Sequence, residues 1–134
     1  MEKFGPLILR VVAAGTMLFV HGLDKFLHFS QYVMQFPDPI GVGAKTGLML
    51  VVFAEVVCSA FVLLGLFTRI ALIPLIITMC VAFFIVHAHD PFMKKELALM
   101  YLSVFSALFL VGPGAFSVQD MFKITSTRFD WLLK

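Results

Sequence analysis

Charged residues are scarce in this sequence: they make up 13% of its 134 residues, whereas hydrophobic residues make up 61%. Soluble domains are about 25% charged, and the mean hydropathy here is +1.03. These values exclude an ordinary soluble enzyme and predict one integral membrane domain over residues 1–134, with the lipid bilayer around it. The basic residues form no cluster, so we expect no nucleic-acid partner.

Cysteine is also rare. Only Cys58 and Cys80 occur, both within apolar stretches, and no CxxC pair is present. This placement is typical of small buried side chains rather than of a redox pair. A cleavable signal peptide is not indicated, because the first apolar stretch runs into His21 and Lys25 without a small-residue cleavage pattern. We therefore expect the first helix to be retained.

Four long apolar segments remain, at about residues 6–22, 47–66, 70–86 and 97–111. They show no alternation of polar and apolar residues, and in lipid only helices and closed barrels satisfy the backbone. The sequence therefore predicts an all-α, integral membrane four-helix bundle. The connection over residues 23–46 is rich in aromatic residues, and we expect it to fold onto the membrane face as a cap or an interfacial segment. It would serve there either as an aromatic anchor or as a lid that contacts a substrate.

The tail after residue 114 predicts a short interfacial C-terminal helix. Ser117 is placed as an N-cap, with Asp120 three residues later, and apolar and basic residues follow up to Trp131. With four spans, both termini lie on one side together with six basic residues, against four on the other side. The excess favours cytoplasmic termini. The six are Lys3, Arg10, Arg69, Lys123, Arg128 and Lys134, and the four are Lys25, Lys45, Lys94 and Lys95.

Glu55 is the most informative residue, because it lies inside the unbroken apolar run of residues 47–66. A charged side chain at the centre of a bilayer costs about 2.5–3.5 kcal/mol on insertion scales, unless it is paired or hydrated. Leucine would pack there at no such cost. Glu55 is therefore a candidate functional residue.

Helical spacing brings further polar groups to the same half of the bundle, here called the outer half. Positions 10, 14, 17, 21 and 25 share one face of the first helix. His87 directly follows the third segment. Glu96 directly precedes the fourth segment, and Tyr101 lies about one turn further along it. We predict Glu55 and His87 as catalytic residues and His21, Lys25, Glu96 and Tyr101 as ligand-binding residues.

Three interpretations of this cluster stay open. A quinone headgroup needs hydrogen-bond donors for its carbonyls and groups that pass protons, which histidine and carboxylate supply. A metal ion is a weaker alternative, with His21, His87, His89 and Asp90 as ligands, because His87 and His89 converge only if the helix has ended. In the third interpretation the cluster is structural and fixes how the helices meet.

The chain resembles the DoxX family of small bacterial inner-membrane proteins over about residues 10–120. The resemblance lies in an ordered set of short pieces, none specific alone. They are Arg10, Gly15 and HGLDKF at 21–26; Glu55 and LGLFTRIA at 64–71; Met79, Ala82 and His87; Phe92, Glu96, Tyr101 and Leu102; and Gly112, Pro113, Gly114, Ser117 and Asp120.

The resemblance implies a bacterial inner-membrane protein of four helices that is linked to quinone-dependent redox chemistry. Its implied function is a membrane subunit of a quinone-linked oxidoreductase system, with a membrane redox protein as partner and self-association as a further expectation. The alternative is a non-catalytic assembly or anchoring subunit for a redox or stress-response complex. Whether the chain is itself an enzyme stays open. A small transporter is a third class, for which four helices leave little room without oligomerisation.

Overall fold

The computed structural model describes residues 1–122 and 130–133, and its regular elements are all helices, as predicted. Within these residues there is no strand. The helices are α1 (Phe4–Leu27), α2 (Phe29–Gln35), α3 (Ala44–Leu64), α4 (Thr68–Val86), α5 (Phe92–Val111), α6 (Val118–Phe122) and α7 (Asp130–Leu133).

Three of these helices, α1, α3 and α4, are long and apolar enough to cross a membrane. The fourth long helix, α5, has 20 residues, but its first five residues include Lys94, Lys95 and Glu96. Its apolar part, residues 97–111, extends only about 22 Å at 1.5 Å per residue, against a hydrocarbon core of about 30 Å. A bundle of four membrane-spanning helices therefore remains a prediction, although α5 packs against α4 and α1.

The long helices form a ring in the order α1, α3, α4 and α5, and their buried core is almost wholly apolar. Ala14, Val62, Leu75 and Phe105 have no exposed surface. We call the end of the ring that carries His21 and His87 the histidine end; it is the predicted outer half. The opposite end, with Arg10 and Arg69, is the arginine end.

Each of the three membrane-capable helices contains a π-helical turn, at Met17–Gly22, Phe53–Cys58 and Ala82–Val86. Such i→i+5 turns are rare and frequently occur at functional sites. His21 and Glu55 lie within two of these turns, and His87 directly follows the third. No feature of the sequence indicated them.

The connection after α1 is more helical than predicted. The first helix continues to Leu27 instead of ending at residue 22, and Phe29–Gln35 is a separate helix. The predicted cap is nevertheless present, since the ring of Phe36 lies over Gly47, where a Cβ atom would be only 2.8 Å from it. Asp38 shapes the following turn by accepting hydrogen bonds from two backbone amides at 3.0 Å.

Two buried arginines hold the arginine end together. Arg10 donates to the carbonyl of Pro113 at 2.7 Å, and Arg69 donates to the carbonyls of Phe109 and Leu110 at 2.7 and 3.0 Å. The last carbonyls of a helix have no partner within that helix, and a guanidinium offers five donors. The two arginines therefore provide hydrogen-bond donors for backbone carbonyls at the end of α5 and in the turn that follows it.

The predicted cap of the tail is confirmed: the amide of Asp120 donates to Ser117 Oγ at 3.2 Å, at the start of α6. The remainder of the predicted interfacial helix falls largely on residues 123–129, which lie outside the described part of the chain. The same holds for three of the six basic residues used to predict the topology, namely Lys123, Arg128 and Lys134.

Candidate functional site

A cavity of about 360 Å³ opens at the histidine end, between α1, α3, α4 and α5. The segment after α2 lies over it, with Phe36, Pro39 and Ile40 in its lining. Most of the walls are apolar. Its polar lining residues are His21, Lys25, Glu55, Thr78, His87, Lys94 and Tyr101.

The deep wall of the cavity carries an ion pair. Lys25 Nζ donates to Glu55 Oε2 at 2.6 Å, and the side chains of the two residues are 22% and 5% exposed, respectively. The pair connects α1 to α3 where their backbones are in close contact, because a Cβ atom on Gly22 would lie 2.5 Å from the carbonyl oxygen of Glu55. The predicted buried carboxylate therefore has a cation as its direct partner.

His21 on α1 and Tyr101 on α5 are in contact with each other in the cavity wall. Their rings meet edge to face, with centroids 5.6 Å apart. The hydroxyl of Tyr101 donates to Thr16 Oγ1 at 2.9 Å, and its ring stacks on Phe105. Within the described part of the chain, no hydrogen bond engages either ring nitrogen of His21, so these atoms are available to a ligand.

His87 is oriented by a neighbouring carboxylate. Its Nδ1 lies 2.7 Å from Asp90 Oδ2, and this hydrogen bond lowers the pKa of Asp90 below its usual range. When Nδ1 carries the proton, the other ring nitrogen of a neutral histidine is an acceptor. Asp90 thereby favours the tautomer of His87 in which Nε2 can accept a proton.

The cap is tied to α1 by a second carboxylate, Asp24. It accepts a hydrogen bond from the hydroxyl of Tyr32, and its other oxygen lies 3.1 Å from His28 Nδ1. The hydrogen bond to Asp24 raises the pKa of Tyr32. These contacts hold α2 against the end of α1 and therefore fix the roof of the cavity.

The structure does not bring Glu96 into the cavity. Glu96 is exposed on α5, because the face of that helix toward the cavity contains positions 94, 97, 98 and 101. Lys94, which the sequence interpretation left in a loop, lines the cavity instead. Leu97, Ala98 and Tyr101 follow Lys94 by three, four and seven residues, which is the spacing of one helix face. That spacing could have predicted Lys94 as a lining residue.

The histidines and carboxylates do not form a metal centre in the described residues. No three His, Cys, Asp or Glu side chains in that part of the chain are close enough to hold a metal ion. His89 is exposed, and Asp90 is engaged with His87 rather than with His21.

Both cysteines are free thiols, Cys58 buried and Cys80 partly buried. The sequence interpretation of small buried side chains is therefore confirmed for Cys58. Burial raises the cost of forming a thiolate, which is the reactive form of cysteine. Cys58 is therefore a packing residue in this fold.

Comparison with known proteins extends the resemblance seen in the sequence. The family model described as DoxX matches residues 5–88, a range that includes Glu55 and His87 and stops before Tyr101. An uncharacterized protein of Haemophilus influenzae is 34% identical over 134 aligned positions, covering 91% of this chain and 96% of the relative. No solved structure matches the chain. Because the family model covers more than half of the chain and the relative nearly all of it, this protein belongs to the DoxX family.

Proposed function

We propose that this protein is a membrane subunit of a quinone-linked oxidoreductase system, and that its cavity binds the quinone headgroup. The observation that supports this proposal most directly is the Glu55–Lys25 pair in the wall of a mostly apolar cavity beside His21. Ligand pockets are typically apolar, with a few convergent polar groups, and have volumes of about 300–1,000 Å³. A cavity of about 360 Å³ has room for a single aromatic ring with its substituents.

The polar residues supply the contacts that such a headgroup requires. Lys25 and His21 carry donors suited to its two carbonyl oxygens, and His87 has a ring nitrogen that can hold a proton. Glu55 can receive a proton from Lys25, its partner at 2.6 Å. A bound quinone accepts two electrons and two protons, and the electrons would come from a redox protein in the same membrane. Glu55 and His87 are therefore the proposed proton-carrying residues.

The proposal extends to location and assembly. The chain would lie in a bacterial inner membrane with four spans and both termini in the cytoplasm, as the distribution of its basic residues favours. The cavity would then face the outer side. A membrane-associated redox protein would be the partner that delivers electrons.

Replacement of Glu55 by glutamine tests the site. The change keeps the size of the side chain but removes its charge, and we expect the affinity for a short-chain quinone to fall roughly tenfold, the equivalent of about 1.4 kcal/mol. Binding would be measured on the detergent-purified protein with ubiquinone and menaquinone analogues. Glu96→Gln is the matched control, because Glu96 is a carboxylate outside the cavity. Unchanged binding by the folded Glu55→Gln protein would refute the proposed site.

A second function, as a non-catalytic assembly or anchoring subunit, is favoured by a different observation. The Glu55–Lys25 pair lies where Gly22 touches the backbone of α3, so the pair also fixes how α1 and α3 meet. In this case Glu55→Gln would lower stability and the recovery of partner proteins from membranes, and neither wild type nor variant would bind quinone. Copurification of partners with the two proteins separates this function from the first.

A further inference from the structure

The cavity reaches the side of the helix ring as well as its end. Leu50 on α3 and Ile77 on α4 both line the cavity, and both are more than half exposed, at 52% and 58%. Other lining residues, such as Leu97 and Ile40, are similarly exposed, so helix packing is needed to locate an opening. Ala44–Val52 does not pack closely against α4 as the later part of α3 does, which points to an opening between α3 and α4.

The opening lies well inside the two helices. Leu50 is six residues from the start of α3 at Ala44, and Ile77 is nine residues from the end of α4 at Val86. At 1.5 Å per residue, these positions are about 9 Å and 13.5 Å from the helix ends. Half of a hydrocarbon core is about 15 Å, so with these helix ends at the membrane surface the opening would face acyl chains.

The surrounding structure favours entry from the side. The part of α3 from Phe53 to Leu64 packs against α4, which closes the ring toward the arginine end. At the histidine end, Phe36, Pro39 and Ile40 lie over the cavity. These roof residues are apolar, as are Leu50 and Ile77 at the opening, so an apolar chain would be in contact with apolar side chains along this side of the cavity.

We propose that this opening is a lateral entrance for a single-chain lipid with a hydrogen-bonding head. The head reaches Glu55 and Lys25, and the apolar chain lies between Leu50 and Ile77. The identity of the head rests on the quinone site proposed above, whereas the entrance rests on the position and exposure of the lining residues and on the packing of α3 against α4. A molecule of this class partitions into the bilayer, so entry from the side avoids passing its chain through water.

Two buried methionines report whether a chain enters. Met17 and Met79 line the cavity but are only 1% and 5% exposed, so lipid outside the ring does not touch them. The probe is a fatty acid with a diazirine on its chain, incorporated into phospholipid liposomes with the wild-type protein. On illumination the diazirine loses N₂ and becomes a carbene, which inserts into a neighbouring C–H or X–H bond. We expect labelled peptides at Met17 and Met79, and none at Leu72, which is fully buried and outside the cavity.

A pair of matched variants tests the route. Ile77→Trp narrows the opening, and we expect labelling of the two methionines to fall to the level at Leu72. Ile73→Trp is the control, because Ile73 lies one turn away on the same face of α4, is 41% exposed and does not line the cavity. Leu50→Trp narrows the opposite side and provides a second variant if Ile77→Trp does not fold.

The outcomes separate the two proposals. Wild-type methionines labelled no more than Leu72 would overturn the entrance, and so would equal labelling in Ile77→Trp and Ile73→Trp. Labelling that a short-chain quinone suppresses supports both the entrance and the headgroup site. Labelling that depends on residue 77 but is unaffected by quinone supports the entrance and counts against a quinone as the occupant.

Discussion

Replacing Lys25 by methionine should destabilise the protein more than replacing its partner. Methionine fills much of the same space but leaves Glu55, which is 4% exposed, without the ammonium that lies 2.6 Å from its carboxylate. Removing one partner of a buried ion pair costs about 3–5 kcal/mol, because the other charge is left uncompensated. Glu55 lines an open cavity rather than the closed core, so we expect the lower end of this range, about 3 kcal/mol.

The opposite change, Glu55→Gln, should cost less. The Lys25 side chain is 22% exposed, and a lysine without a partner can extend its ammonium toward water. Loss of one charged hydrogen bond then dominates, at about 1.5 kcal/mol. The asymmetry follows from the difference in burial between the two side chains.

The free energy of unfolding would be measured in mixed micelles by titration with a denaturing detergent, with helical circular dichroism as the readout. Lys25→Met and Glu55→Gln are compared with the double variant. The double variant should recover part of the loss caused by Lys25→Met, since it no longer buries an unpaired charge. Equal losses for the two single variants, or a double variant less stable than Lys25→Met, would refute this reasoning.

Two further predictions concern close packing and pH. Gly22→Ala should destabilise by about 1–3 kcal/mol, because its Cβ atom would lie 2.5 Å from the backbone oxygen of Glu55, whereas Gly15→Ala, with open space around it, should not. Thermal unfolding compares the two. Since the pKa of Asp90 is lowered by its bond to His87, its contribution to stability is present above the usual pKa of aspartate and is lost as the pH falls through the folded value. Asp90→Asn should remove that part of the acid dependence; an unchanged acid profile would contradict it.

The residues of the deep wall could be predicted from the sequence because placing a charged side chain inside an apolar membrane segment costs much free energy. Glu55 stands out in an apolar run, and the four-residue spacing of His21 and Lys25 places both on one helix face. At the membrane surface the same reasoning does not apply, because a charged side chain remains hydrated there and carries little free-energy cost. It therefore did not distinguish Glu96, which points away from the cavity, from Lys94, which lines it.

The cavity and the full length of the first helix could not be predicted from the sequence, because both depend on contacts between helices. Whether α3 and α4 separate to leave a cavity is decided by packing, which hydropathy does not encode. The extension of the first helix to Leu27 was missed because Asp24 and Lys25 resemble the polar start of a loop. In the structure both side chains are engaged, Asp24 by the cap and Lys25 by Glu55.

The extra residue in each π-helical turn determines which side chains the two parts of the helix direct toward the cavity. Each turn accommodates one residue more than an α-helical backbone would over the same path, so the two ends of a helix are offset by about 100° from their α-helical relation. Deleting one residue within Phe53–Cys58 would restore regular helix and rotate Ala44–Val52 relative to Ser59–Leu64. Alignments of relatives that ignore such single-residue insertions would assign the wrong side chain to the position of Glu55.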